Sequence, residues 1–233
     1  MDRRLFWPNR SFIALDTEST GLDFENDRPI QVGMAVFLKS QLIWTFNWYS
    51  NTSRPSNPDA LAVHKIEDKW RQDNGIHPRE IMQHVLQLFN RCSERNVPVI
   101  AFNAPFDFTM ICKEMQRFSM KLNTDRLYVI DPLVIDRHYE KNVPVFTKPF
   151  MRLGQMAARY GLSAPTHNAL DDAICAGYLA AAQSVHHSAI RTGSPRELHE
   201  RQCIWYKDFV AKVHSFANKK KITFTTPDWP FGD

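Results

Sequence analysis

The sequence predicts an α/β domain, a mixed sheet of about five strands with helices on both faces. Three observations point there. A meander of β-type segments opens the chain, apolar strands then alternate with segments of helical period, and carboxylates stand where such a sheet would bring strand ends together. At 233 residues, 43% apolar and 12% aromatic, the chain can bury one full core, and its length demands no second. We read residues 1–190 as the main domain and 191–233 as a C-terminal helix and tail packed on it.

Phe12-Ile13-Ala14-Leu15-Asp16-Thr17-Glu18 is an apolar β-type run, and its period of two puts Asp16 and Glu18 on one face at the strand end. Gly21 and Leu22 then turn the chain. Ile30 to Leu38 and Leu42 to Tyr49 are two further strands, rich in β-branched and aromatic residues, joined by a polar turn at Lys39 to Gln41. Asn57 before Pro58 marks an N-cap and first helical position, opening a short helix that reaches His64. A helix starts at Pro78, with Ile81, Met82, Val85, Leu88, Phe89 and Cys92 at helical spacing, and Val97 to Phe102 is a short buried strand leading to Asp107.

The pattern continues with a helix from about Phe108 to Phe118, a strand at Leu127 to Ile130 ending in Asp131-Pro132, a polar connection from Asp136 to Lys148, and a helix from Phe150 to Tyr160 closed by Gly161. Asn168 to Val185 is alanine-rich and apolar at i, i+3, i+4, so it reads as a helix with His167 at its start and Asp172 near its second turn. Pro195 to about Phe216 is amphipathic, with Leu198, Trp205, Phe209, Val213 and Phe216 on one stripe that docks it on the domain.

A net charge of +4 and a pI near 8.9 suit a polyanionic partner without requiring one. Cys92, Cys112, Cys175 and Cys203 show no C-x-x-C spacing, and no apolar run approaches a membrane span or signal-peptide core, so a reducing cytoplasm is the expected setting. Without a secretory signal, the glycosylation patterns at Asn9-Arg10-Ser11 and Asn51-Thr52-Ser53 carry no weight.

The chemistry lies in five polar residues. Asp16 and Glu18 side by side at an apolar strand end need a cation, because desolvating unpaired carboxylates costs several kcal/mol each. With Asp107 and Asp172 they form a hard oxygen donor set without a cysteine or a His-x-x-x-His pair, which suits two Mg²⁺ ions, with Mn²⁺ as substitute, rather than Zn²⁺. Two such ions about 3.5 to 4 Å apart can clamp a phosphodiester, with Asp16 bridging them. An imidazole at His167, whose ordinary pKa is near 6.5, can take the proton of the attacking water.

The same residues carry a resemblance. Asp16-Thr17-Glu18-Ser19-Thr20-Gly21-Leu22 resembles the first motif of the DEDDh, or DnaQ-like, 3′ to 5′ exonuclease superfamily. Asn103-Ala104-Pro105-Phe106-Asp107 resembles its second, in the form Asn-x-x-(Phe/Tyr)-Asp, and His167-Asn168-Ala169-Leu170-Asp171-Asp172 its third, His-x-x-x-x-Asp. Order and intervals agree over roughly Ser11 to Val185. The resemblance implies a ribonuclease H-like fold, with Asp16, Glu18, Asp107 and Asp172 holding metal and His167 as general base. It also implies contacts from Thr17 and Leu22 to the 3′-terminal nucleotide, Leu22 by wedging between the last bases. Val63-His64-Lys65-Ile66 resembles the Val-His-Gly-Ile segment beside that nucleotide, with Lys65 replacing the usual glycine, and Ser19 replaces a more frequent threonine. His64, Asn103 and Phe106 join the expected substrate contacts. Two further segments, Asp131 to His138 and Glu197 to Gln202, resemble stretches of stand-alone exonucleases of actinobacteria and their phages.

Plainer roles stand beside these. Asp107 also reads as a helix N-cap, His167 as a cap or solvent-facing residue, and His64 as a loop histidine. Phe106 reads as core, Asp171 as an exposed carboxylate at a helix N-terminus, and Lys219-Lys220-Lys221 as a solvated helix end. The expected activity is metal-dependent release of nucleoside 5′-monophosphates from DNA 3′ ends, single-stranded or frayed, in proofreading or repair, with a DNA polymerase as a candidate partner. The alternatives are an exoribonuclease and a catalytically silent nucleic-acid-binding or polymerase-docking module.

Overall fold

The computed structural model describes residues 6–139, 152–220 and 227–232. Strand β1, Ser11–Ser19, runs through the middle of a five-stranded sheet. It pairs antiparallel with β2, Pro29–Leu38, in a register that sets Ile13 opposite Val36 and Asp16 opposite Gly33. β2 pairs antiparallel with β3, Gln41–Tyr49, through a tight turn whose Lys39 and Ser40 both take positive φ, the conformation that matches the twist of a hairpin. On its other side β1 runs parallel to β4, Val99–Ala101, and β4 runs parallel to β5, Val129–Ile130. The order is β3-β2-β1-β4-β5, so the sheet changes from antiparallel to parallel at β1.

The helices are α1 Pro58–His64, α2 Asp68–Asn74, α3 Pro78–Arg95, α4 Ala104–Arg117, α5 Pro132–Tyr139, α6 Leu153–Arg159, α7 Ala169–His186, α8 Ser188–Arg191 and α9 Pro195–Lys220. They cover the two faces of the sheet. Phe12, Ala14, Ala35 and Phe37 pack with Ala173, Ala176, Leu179 and Ala180 of α7 in one core. Ile13, Leu15, Val32 and Met34 pack on the opposite face with α3 and α4 in the other. Because strand side chains alternate, Asp16 and Glu18 continue the series of Phe12 and Ala14 towards α7, whereas Thr17 continues that of Ile13 and Leu15 towards α4. This alternation positions the site.

Several elements depart from expectation. Helix α4 begins at Ala104 rather than Phe108, which places Asp107 inside its first turn and rules out the N-cap role. Asn103 occupies the cap position instead, in a left-handed conformation and without a side-chain cap bond. Where a polar connection from Asp136 was expected, α5 has already begun at Pro132. Asp136 itself is buried, and its Oδ1 accepts from Arg159 Nη1 at 3.1 Å. The remainder of that expected connection and the expected start at Phe150 lie outside the described residues, as does Lys221. β4 and β5 are shorter than expected, α9 runs four residues further, and α2 was not anticipated. The buried stripe of α9 is Leu198, Gln202, Tyr206, Phe209, Val213 and Ala217. Phe216 is partly exposed, and Trp205, half-buried, stacks on His138 at 4.0 Å. Among the described residues no helix is long and apolar enough to cross a membrane.

Candidate active site

The end of β1 opens onto two adjoining cavities. One, of about 410 Å³, is lined by Asp16, Thr17, Asn103, Asp107, His167 and Asp172, among others. Its neighbour, of about 430 Å³, is lined by Thr17, Glu18, Leu22, Asn57 and His64. Phe106 and Val63 belong to both walls.

Carboxylate oxygens of Asp16, Glu18 and Asp172 lie within 4.8 Å of one another. Asp172 reaches this point because α7 crosses β2 at Gly33, where even a Cβ would come within 2.3 Å of the backbone of Ala169 and Leu170. Its Oδ1 also accepts from Thr166 N at 3.0 Å. Asp107 stands outside that trio and approaches from α4, its Oδ1 accepting from Thr17 Oγ1 at 2.8 Å.

The site is short of positive charge. Burial raises Asp16 well above the ordinary carboxylate range, and the charges of Asp107, Asp172 and Glu18 add to the shift. Burial, then Asp172, lifts Glu18 to about 7. Burial lifts Asp107 to about 8 against the opposing bond from Thr17, and it raises Asp172 as well. Among the described residues no lysine or arginine forms an ion pair with any of the four. Clustered, desolvated oxygen donors that no lysine or arginine pairs with fit a divalent metal of the hard class.

His167 is exposed, with φ of 58°, and stands on the lip of the first cavity; the N-cap of α7 is Asn168, whose side chain accepts from Leu170 N. Leu22 is 78% exposed at the mouth of the second cavity. His64 is buried, and its Nδ1 accepts from Ile66 N at 2.9 Å. Its Nε2 has no protein partner among the described residues, and burial, with Arg71 adding, lowers its pKa against the pull of Asp68. Phe106 is half-buried against Phe24 rather than a core residue, whereas Asn103 is exposed. Asp171 is exposed as expected and accepts from Thr166 Oγ1 at 2.6 Å. Lys65 caps α1 with φ of 58°, the left-handed geometry that glycine adopts without cost.

Three residues at or behind the site were not anticipated. Gln31, fully buried in β2, accepts from Ala169 N through its Oε1 and donates to Asn47 and Tyr49, which ties the start of α7 to the sheet. A polar residue amid the apolar run of β2 was its only signal. Asp131 accepts from the backbone N–H groups of Asn103 and Ala104 at 3.1 and 3.0 Å and so caps α4 from another element. Arg152 lines the first cavity beside the carboxylates.

The family model described as Exonuclease (RNase_T) matches residues 13–180. The DNA polymerase III subunit epsilon of Pasteurella multocida is 27% identical over 124 residues, 51% of this chain and 47% of that protein. The subunit of the same name from Treponema pallidum is 27% identical over 181 residues, 76% of this chain and 78% of its own length. The chain thus spans about half the length of the first of these relatives. The zinc-bound complex of E. coli ExoI with single-stranded DNA superposes with a TM-score of 0.65 at 16% identity, over 78% of this chain and 42% of that one. The nuclease domain of 3′hExo, a DEDDh family member bound to rAMP, does so with a TM-score of 0.62 at 12% identity, over 78% and 95%. These solved structures share the mixed five-stranded, ribonuclease H-like architecture. With its motifs inside the matched span and their carboxylates gathered at the end of β1, the chain belongs to the RNase_T exonuclease family.

Proposed function

We propose that this protein is a metal-dependent 3′ to 5′ exonuclease that hydrolyses the terminal phosphodiester of DNA strands, single-stranded or frayed, and releases nucleoside 5′-monophosphates. One observation carries the reading: the convergence of Asp16, Glu18 and Asp172 within 4.8 Å, beside Asp107, where the cavity that His167 lines adjoins its neighbour. In this reading the four carboxylates hold two divalent ions, Mg²⁺ with Mn²⁺ as substitute. When bound, such ions neutralise the phosphate and lower the pKa of the attacking water.

The chain's own residues do the rest. His167, on the open lip, accepts the proton of the attacking water. Thr17 holds Asp107 in orientation through its hydroxyl. Leu22 presents an exposed apolar edge that can wedge against the last base step, and Phe106, shared by both cavities, offers a ring on which a base can stack. His64, whose Nε2 is unpartnered among the described residues, lines the second cavity and Asn103 the first, where each can meet the terminal nucleotide.

A ribonucleotide substrate is the second reading, favoured by the fold shared with a nuclease domain described as bound to rAMP. The relatives' names, subunits of a DNA polymerase, support work beside such an enzyme, and proofreading or repair is the role we propose there. The test is incubation of 5′-labelled single-stranded DNA and the matched RNA with Mg²⁺, with Mn²⁺ and with EDTA, with Asp16→Ala as control. A ladder shortening from the 3′ end, abolished by EDTA and by the substitution, is expected, and the faster strand identifies the substrate. Strand binding without cleavage would leave a silent binding module instead.

A further inference from the structure

Asp107 is the one carboxylate of the four that is carried on a helix whose first turn lacks a cap of its own. Asn103 at the cap position is left-handed (φ 62°, ψ 49°), and its side chain makes no cap bond. The N–H groups of Asn103 and Ala104 at that end are instead taken up by Asp131, which follows β5 and is 1% exposed. Asp131 also accepts from Leu133 N at 2.9 Å and from the indole Nε1 of Trp229 at 3.2 Å. Trp229 is the only side-chain donor to this carboxylate among the described residues.

Trp229 belongs to a short segment, residues 227–232, that lies along α4. Phe231 sets its ring edge-on to Phe108 at 5.0 Å, and Gly232 approaches so near that a Cβ there would lie 2.3 Å from Thr109 Oγ1. Phe108 and Thr109 directly follow Asp107. The segment is anchored on α9: Tyr206 Oη donates to Pro227 O at 2.9 Å, and the rings of His199 and Trp229 lie 5.1 Å apart. Helix α9 is in turn locked to β5, where Gln202 accepts from Asp131 N at 2.8 Å and donates to Val129 O at 3.1 Å. Asp107 is therefore held by Thr17 from β1, by Asp131 at the start of its helix, and by the 227–232 segment along it.

We propose that residues 227–232 form a strap that positions Asp107. Acting through Asp131 and the first turn of α4, the indole N–H of Trp229 sets how tightly the site takes a divalent metal. Trp229 and Asp131 are positioning residues, since neither lines the cavity. The inference rests on the reading of Asp107 as a metal-holding carboxylate. A partner behind a ligand typically changes metal affinity by about 10- to 100-fold. Because the indole acts one step further back, about a 3- to 10-fold effect is expected.

The test is calorimetric titration of the full chain with Mn²⁺, without nucleic acid, for the wild type, Trp229→Phe and Asp107→Asn, together with hydrogen exchange at the Asn103 and Ala104 amides. Trp229→Phe keeps a ring and removes the donor. The expected result is Mn²⁺ binding weakened by about 3- to 10-fold and faster exchange at both amides. Should Trp229→Phe not fold, Phe231→Leu loosens the same strap from Phe108 without touching Asp131, and the same two shifts are expected. Unchanged Mn²⁺ affinity and unchanged exchange, with Asp107→Asn still weakening the metal, would overturn the strap. If Asp107→Asn also leaves Mn²⁺ binding unchanged, the metal reading of that carboxylate fails, and the strap falls with it.

Discussion

Asp16, Glu18 and Thr17 illustrate how one strand serves two sides of a site. Period-two alternation sends the two carboxylates towards α7 and the hydroxyl towards α4, so Asp172 and Asp107 arrive from opposite faces. The shared face of Asp16 and Glu18 was legible from the period of two, and Asp107 and Asp172 from their type and spacing, whereas the opposite approach of those two was not. Gln31 and Asp131 were not, because their value lies in contacts with residues 138 and 27 or 28 positions away. The crowding of the acids has a pH consequence. Burial lifts Glu18 from 4.5 to about 7 and Asp107 from 3.8 to about 8, so the folded, metal-free protein binds more protons there than the unfolded chain. The stability they contribute is complete below about pH 4 and is lost as pH rises through about 7 to 8. Thermal melts of the metal-free protein should therefore show a lower midpoint at about pH 8.5 than at about pH 5.5, and Mn²⁺ should remove the difference. A midpoint that rises over that interval would contradict the crowding. His167→Ala should lower kcat by about 10² to 10⁴, with partial recovery at higher pH. An unchanged rate in steady-state assays would remove the imidazole from the proton transfer.

At the scale of elements, helices with strong apolar periodicity, α3, α7 and α9, were anticipated within a few residues, and the meander likewise. Two helix starts, those of α5 and α4, fall earlier than expected for related reasons. Asp131-Pro132 reads as a strand stop, yet proline at a first helical position equally begins a helix, and α5 starts there. Helix α4 starts early for the related reason that Asp131, remote in sequence, caps it where Asn103 does not. The crossing of α7 over β2 at Gly33 yields a prediction for this scale. Gly33→Ala would drive a Cβ to 2.3 Å from the backbone of Ala169 and Leu170 and displace the turn that carries His167 and Asp172. A loss of about 1 to 3 kcal/mol in denaturant melts is expected, as for other overpacked contacts, with kcat/KM falling as well. Wild-type stability in this variant would mean that α7 is free to shift.

For the whole molecule, the sheet order places β1 between an antiparallel and a parallel neighbour, and the cavities open at the end of that strand. Three motifs spread across the chain thereby become one site, which composition and charge alone did not foretell. The strap formed by residues 227–232 was invisible in the sequence, since its aromatic residues resemble any proline-containing tail until α4 lies beneath them. In the proposed mechanism this junction holds two divalent metals. Anomalous diffraction from a crystal soaked with Mn²⁺ and a nucleoside 5′-monophosphate tests it most directly. We predict two peaks about 3.5 to 4 Å apart, Asp16 between them and Glu18, Asp107 and Asp172 around them. An absence of manganese at these carboxylates, with the nucleotide bound elsewhere, would contradict the account.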